Sequence, residues 1–229
     1  MKKMKKIISL SLIVFLVLIT CFMFLEPSSV QSAEDSVNVS LTVTSEITIS
    51  SPADVDMGSM TGVSNDTATG ECTWTVRTND SAGFSMTLKE SDSAPAMVGQ
   101  SQGDSFADYT EDSAGIPDFD WSIADSSSEF GFTVEPETPA DTVQAFLDNG
   151  SDSCNTGSNN TTDACWLGFD GTNPISVINR SSETGYDGED EKVKFKAELY
   201  NADGIPNDAN GMLVEDTYQA TIVATVTSN

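Results

Sequence analysis

Apolar and polar residues alternate strictly in several separate segments of this chain, and this alternation limits its fold more than any other feature. Successive side chains of a β-strand point to opposite faces, so the pattern predicts strands with one buried face. The longest run, 37–49, predicts one strand or two strands that meet near Ser45. The other predicted strands are 72–78, 84–88, 119–123, 130–134, 175–177, 193–199 and 218–226.

The segments between the predicted strands are rich in Gly, Asn, Asp and Ser, as turns require. Residues 79–83 predict a hairpin loop, in which Gly83 supplies a positive φ. Ranges 89–118 and 148–174 predict long polar insertions. Short strands joined by polar turns are typical of all-β domains, and we predict an antiparallel β-sandwich of immunoglobulin-like or jelly-roll-like type.

One short helix is predicted within this β-rich chain. It begins after Thr138, where Pro139 and Asp141 suit a first helical turn. Before Gly150, the apolar residues that share one helical face are Val143, Phe146 and Leu147.

Residues 1–33 predict a targeting leader. A basic start, MKKMKK, precedes an apolar run from Ile7 to Leu25, and small residues follow it. This is the pattern of a secretory signal peptide, and the run also reaches the length of an N-terminal membrane anchor. Under both interpretations, residues 34–229 form a single exported, secreted or cell-surface domain, and only the N-terminal segment contacts a membrane.

The charge of the chain excludes several classes of function. It carries 36 Asp and Glu against 10 Lys and Arg, for a net charge of −26, and it has no His. Binding of phosphate backbones needs clustered Lys and Arg, so nucleic acid is excluded as a partner. A chain without His has no Ser-His-Asp or Cys-His catalysis and no His-ligated zinc.

The cysteines of the predicted exported domain suggest one disulfide. Cys154 and Cys165 bracket a polar loop, and export permits their oxidation. Closing a loop of about a dozen residues stabilises a fold by roughly 3 kcal/mol in the chain-entropy model. Cys72 alternates with Trp74 and Val76, which predicts a free, buried thiol.

Three segments carry a resemblance to a known group of proteins. They are DMGSMTG at 56–62, ECTWTVRTNDSAGFSMTLKES at 71–91 and the C-terminal DTYQATIVATVTSN. The chain resembles secreted and surface β-sandwich proteins of Gram-positive and uncultivated bacteria. It is also loosely similar to WxL surface domains, with Trp74-Thr75-Val76 at the place of a W-x-L triplet. The resemblance implies display at the cell surface.

Two candidate binding sites follow from the residue types. Calcium prefers several carboxylate and carbonyl oxygens, and a cluster of such residues predicts a calcium site at Asp203, Asn207, Asp208 and Asn210. The alternative is an acidic, solvated surface that keeps an exported protein soluble. For glycans, we predict stacking on Trp166 and Phe169, beside the predicted disulfide. No other cofactor is predicted.

Three classes of function remain open from the sequence. A non-catalytic structural or adhesive cell-surface protein, with a surface polymer or other surface proteins as partners, fits the leader and the composition best. A carbohydrate- or cell-wall-binding module is the alternative, which a shallow aromatic patch near Trp166 would favour. A secreted acidic hydrolase would need two carboxylates across a cleft, one with a raised pKa. We predict the first class and no enzymatic activity.

Overall fold

The computed structural model describes residues 12–20, 34–91, 94–200 and 213–229. The chain divides into two units, Met1–Val43 and Thr44–Asn229. In the first unit, residues 12–20 are helical and 34–43 have no regular secondary structure. None of the described residues form a helix with the length and hydropathy of a membrane span.

The second unit is a mostly β fold, as the alternation predicts. Its described strands are β1 (Ile47–Ile49), β2 (Asp66–Thr78), β3 (Phe84–Glu90), β4 (Met97–Gly99), β5 (Ser105–Asp108), β6 (Ser127–Pro136), β7 (Ile175–Arg180), β8 (Glu189–Tyr200), β9 (Tyr218–Gln219) and β10 (Ile222–Ser228). They form a seven-stranded sheet in the order β1-β2-β8-β6-β5-β4-β9 and a three-stranded sheet in the order β10-β3-β7.

Strand β8 shows how alternation builds the core. Its inward side chains are buried and its outward side chains are Lys192, Lys194 and Lys196. The inward apolar residues are Val193, Phe195, Ala197 and Leu199. Val193, Phe195 and Ala197 belong to one core with the buried residues of β6 and β3, such as Phe132 and Phe84. Burial of these apolar faces between the two sheets is the main favourable term in folding.

The turn at 79–83 is not the predicted hairpin. Strand β2 pairs with β1 and β8, whereas β3 pairs with β10 and β7, so the turn crosses between the two sheets. The predicted positive φ of Gly83 is confirmed at 83°. A Cβ at this position would lie 2.2 Å from the carbonyl oxygen of Arg180, so the crossing also needs a residue without a side chain.

One strand pair departs from the predicted antiparallel arrangement. Strands β5 and β6 are parallel, with Ala107 opposite Glu129 and Asp108 opposite Phe130. A parallel pair needs a long crossover connection, and residues 109–126 supply it. The predicted strand 119–123 is therefore wrong, because these residues lie in this connection.

The predicted helix at 138–149 is replaced by two 3-10 turns, Pro139–Asp141 and Gln144–Phe146. The residues between them are extended, because the amide of Val143 donates to the carbonyl of Val177 in β7 at 3.0 Å. Tertiary pairing thus overrides the local helical preference.

Two of the predicted strands are interrupted. The C-terminal strand splits, so that β9 pairs with β4 in one sheet and β10 pairs with β3 in the other. Of the predicted strand 37–49, only β1 pairs with a neighbour among the residues that the structure describes.

Candidate functional site

A groove of about 630 Å³ lies on the outward face of the seven-stranded sheet. Lys194 and Lys196 of β8 line it together with the rings of Trp121 and Trp166. Three carboxylates also line it, and they are Glu71, Asp120 and Asp163. We call this site the Lys–Trp groove. It gathers cationic, anionic and aromatic groups in one open depression.

The two tryptophans reach the groove from loops that fold over strand β6. Leu167 exchanges both backbone hydrogen bonds with Phe132 at 2.9 Å. Gly131 makes this close approach possible, because a Cβ there would lie 2.8 Å from the carbonyl oxygen of Leu167. The same Cβ would lie 3.1 Å from the ring of Trp121. Gly131 on the outward face of β6 therefore leaves room for both Leu167 and the Trp121 ring.

The Trp121 ring has close partners on several sides. Tyr109 stacks on it with ring centres 4.2 Å apart, and Trp166 meets it edge-on at 5.3 Å. The ammonium nitrogen of Lys196 lies over the same ring, 5.0 Å from its centre. This is a cation–π contact, a class of interaction worth about 0.5–2 kcal/mol. The aromatic cluster is therefore held rigidly beside a positive charge.

The lysines of the groove form ion pairs with neighbouring carboxylates. The nitrogen of Lys194 lies 2.5 Å from Asp163 Oδ1 and 3.1 Å from Glu135 Oε1. Burial alone would lower the pKa of Lys194, but the hydrogen bonds to the two carboxylates outweigh it and the pKa is raised. Lys196 pairs with Glu198 at 3.1 Å. The raised pKa of Lys194 favours its charged form, which suits ligand binding.

The two predicted glycan-binding aromatics occupy different places. Trp166 lines the groove, although only 4% of its surface is exposed, and its indole N–H donates to the carbonyl of Asp163 at 2.9 Å. Phe169 does not line the groove: it is 5% exposed and stacks on Phe132 in the core at 4.6 Å.

The predicted disulfide between Cys154 and Cys165 is confirmed, with their Cα atoms 5.7 Å apart. Cys165 directly precedes Trp166, and its amide donates to the carbonyl of Phe119 at 3.3 Å. The bridge therefore anchors the loop that carries Trp166. Cys72 is free and half-buried, and burial raises the pKa of its thiol to about 12.

A buried carboxylate organises the loop inside the disulfide. Asp148 has no exposed surface, and its oxygens accept hydrogen bonds from the amide of Gly150 at 2.6 Å and from the amide and hydroxyl of Thr161 at 2.8 and 2.9 Å. Since the protein itself satisfies this carboxylate, Asp148 has a structural role.

The predicted calcium residues Asp203, Asn207, Asp208 and Asn210 lie outside the described residues. Within the part of the chain that is described, no three His, Cys, Asp or Glu side chains are grouped as metal ligands.

A second charged cluster lies at the start of β8. Glu191 is 2% exposed and faces the core, opposite Trp74 and Pro136 of the neighbouring strands. Burial, followed by repulsion from Asp141 and Glu189, raises the pKa of Glu191 to about 8. Arg180 does not pair with it, but bridges Asp141 at 2.6 Å and Glu189 at 2.9 Å.

Neither a family model, nor a curated protein, nor a solved structure matches this chain. The groove is therefore interpreted from its own chemistry.

Sequence reasoning missed most of the groove. The outward lysines of β8 follow from alternation, but their convergence with Trp121 depends on how residues 109–126 cross the sheet. The one sequence signal for that crossing is Gly131, a glycine inside a strand, which often marks close approach of another backbone.

Proposed function

We propose that this chain is a non-catalytic, exported cell-surface protein with a structural or adhesive role, and that the Lys–Trp groove is its contact surface for carbohydrate. The observation that carries the proposal is the groove itself, where tryptophan rings, ammonium groups and carboxylates line one open depression. Such sites combine apolar surface with a few polar groups that fix the orientation of the ligand.

The polar groups of the groove match the chemistry of sugar hydroxyls. A hydroxyl both donates and accepts hydrogen bonds, so it can pair with a carboxylate and an ammonium group at once. The side chain of Asp163 is 62% exposed while it pairs with Lys194, so one carboxylate and one ammonium group are presented together.

The aromatic part of the groove limits how a sugar can bind. Tyr109 and Lys196 already contact the Trp121 ring, so a sugar would meet the remaining ring surface and the charged groups. We therefore favour a hydroxyl-rich saccharide, held mainly by hydrogen bonds, over one held by stacking alone.

Export is supported by the predicted leader and by the disulfide. The disulfide between Cys154 and Cys165 is compatible with an exported protein. The basic, apolar N-terminal sequence supports a signal peptide or anchor, and the resemblance to WxL and related surface domains supports display at the cell surface. We also propose that the two packed sheets belong to the immunoglobulin-like or jelly-roll-like class of sandwich.

The proposal is tested by binding of the full chain, recovered from an exporting host, to arrays of neutral and acidic oligosaccharides and peptidoglycan fragments. We expect saturable binding to a subset of these glycans. Glu71→Gln and Asp120→Asn change exposed groove carboxylates, and loss of a hydrogen bond to a charged group corresponds to roughly tenfold weaker binding or more.

The matched controls are Asp187→Asn and Glu215→Gln, which remove the same charge from exposed positions outside the groove lining. They should bind as the wild type does. Absence of glycan binding, or equal binding by the groove and control variants, would overturn the carbohydrate proposal.

A further inference from the structure

Residues 36–43, which we call the N-terminal segment, expose an apolar face of a kind that soluble domains normally bury. Val37, Val39, Leu41 and Val43 alternate with polar residues and are 84%, 90%, 89% and 76% exposed. The pattern is that of a half-buried strand, yet no strand pairing links the segment to any described residue. Burial of each such side chain would be favourable by about 1.5–3 kcal/mol.

Strand β10 is the edge of the three-stranded sheet: β1 of the other sheet contacts it, but no described strand pairs with its outer side. Natural proteins protect sheet edges by shortening them, covering them or placing Lys or Pro on them. Strands β1 and β9 are short edges of three and two residues, and Val143 pairs with the outer side of β7. Strand β10 has seven residues and, among the described strands, pairs only with β3.

The sequence of β10 lacks the usual edge protection. Residues 217–229 contain no charged residue and no proline. The inward side chains Ile222, Ala224 and Val226 pack against the core but are only partly buried. A further strand on this edge would cover them with its own apolar side chains.

We infer that the N-terminal segment of one copy of this chain adds as a strand to β10 of a second copy. Addition of an extended segment to a sheet edge is held by main-chain hydrogen bonds, while alternate side chains fill the sheet face. The charge distribution favours this contact: residues 36–45 are uncharged, as are residues 217–229, although the chain carries a net charge of −26. Two copies can therefore meet here without opposing carboxylates.

The connection to β1 favours a second copy over pairing within one chain. The side chain of Asn79 donates to the carbonyl of Thr44 at 3.0 Å and accepts from the amide of Glu46 at 2.7 Å. A carbonyl and an amide that flank one residue point to the same side in an extended chain, as in a β-ladder. Residue Ser45 is thus held extended at the 79–83 turn.

The C-terminal end of β10 lies at the same turn, where the amide of Asn229 donates to the carbonyl of Gly83 at 3.2 Å. Strand β1 runs away from this turn along β2. To pair with its own β10, the N-terminal segment would have to reverse direction within residues 44–46. A second copy accepts the segment without that reversal.

This contact joins two different surfaces, so it is a head-to-tail contact that builds an open chain of subunits unless a ring closes. The inference goes beyond the carbohydrate proposal and uses none of the residues that line the Lys–Trp groove. Failure of one therefore leaves the other standing.

The test compares the oligomeric state of the full chain with that of two double variants, by sedimentation velocity over a concentration series and by electron microscopy. Val39→Asp with Leu41→Asp puts charge on the apolar face of the segment. Ser40→Asp with Thr42→Asp adds the same charge to the opposite face and is the matched control. We expect concentration-dependent multimers for the wild type and the control, and monomers for the apolar-face variant.

A synthetic peptide of residues 35–45 identifies the acceptor. Added to the Val39→Asp, Leu41→Asp chain, it should slow amide hydrogen exchange in 222–228 and leave 175–180 unchanged. The same peptide with both Asp substitutions should have no effect.

Three results would overturn the inference. One is a wild type that is monomeric at every concentration, and another is equal assembly of the two double variants. The third is protection by the peptide of a region other than β10. A monomeric wild type whose β10 amides exchange faster after Val39→Asp and Leu41→Asp would show pairing within one chain, and would likewise contradict the second copy.

Discussion

The ammonium nitrogen of Lys196 lies 5.0 Å from the centre of the Trp121 ring, where a strand of the sheet meets a loop that crosses it. The same nitrogen pairs with Glu198 at 3.1 Å. This contact links the cationic row of β8 to the aromatic cluster, and it holds the Lys–Trp groove in shape before any ligand binds.

Replacement of Lys196 should therefore destabilise the fold through Trp121. We expect Lys196→Met to lower the free energy of unfolding by about 0.5–2 kcal/mol. Lys196→Arg should retain most of the stabilisation from the cation–π contact. Urea unfolding of Lys196→Met, Trp121→Leu and the double variant measures the coupling energy between the two side chains. Additive effects of the two single substitutions would contradict a direct contact.

The disulfide should contribute measurably to stability. Its cysteines are 11 residues apart, and we expect the Cys154→Ala, Cys165→Ala variant to lose about 3 kcal/mol of unfolding free energy. Cys72→Ala is the control, since Cys72 is free and half-buried, and it should cost less. Peptide mapping without reduction would refute the pairing if it found Cys72 in a crosslink.

Asp148 should stabilise the loop that the disulfide encloses. Asp148→Asn replaces an acceptor of three hydrogen bonds by a group with one carbonyl oxygen and an N–H₂ donor, so we expect a loss of roughly 2 kcal/mol in urea unfolding. Asp152→Asn makes the same change at an exposed loop position and should cost far less. Equal effects of the two substitutions would argue against a structural role for the buried carboxylate.

Glu191 should make the fold less stable as pH rises. Its pKa is raised from 4.5 to about 8 in the folded protein, so between these values the folded state binds the proton that the unfolded state has lost. The contribution of this proton is fully present below about pH 4.5 and is lost as pH rises towards 8.

The glutamine of the Glu191→Gln variant stays neutral at all these pH values. The stability of this variant relative to the wild type should therefore increase from pH 4.5 to pH 8. Thermal unfolding across this range measures the difference, and Glu215→Gln is an exposed control. A difference that does not change with pH would show that Glu191 titrates normally.

The net charge of −26 should make the fold sensitive to salt. Screening shortens the Debye length from about 10 Å at 0.1 M to about 3 Å at 1 M, so we expect the melting temperature to rise with NaCl. We expect millimolar calcium to add nothing in high NaCl, as for a solvated acidic coat. A further rise with calcium under these conditions would instead support the predicted site at Asp203, Asn207, Asp208 and Asn210.

The accuracy of the sequence predictions follows from where each element finds its partners. Strand β8 was predictable because its alternation matches burial residue by residue. The strand expected at 119–123 and the helix expected after Thr138 failed because both segments bind distant backbone, at Cys165 and Val177. Alternation records a preference for one buried face, but it does not say which neighbour covers that face.

The site was less predictable than the fold for the same reason. Alternation placed the lysines of β8 outward, and the cysteine spacing located the loop of Trp166. The position of Trp121 depends on the long crossover that makes β5 and β6 parallel, and no local pattern encodes that crossover.

The most direct test of the carbohydrate proposal is a titration of the folded chain with a glycan that it binds, followed by NMR of the indole N–H groups. The chain has three tryptophans. Trp121 and Trp166 line the groove, whereas Trp74 faces the core and serves as an internal control. We expect saturable shifts of the Trp121 and Trp166 signals with one common Kd and an unchanged Trp74 signal. Unchanged Trp121 and Trp166 signals at saturating glycan would contradict the carbohydrate proposal.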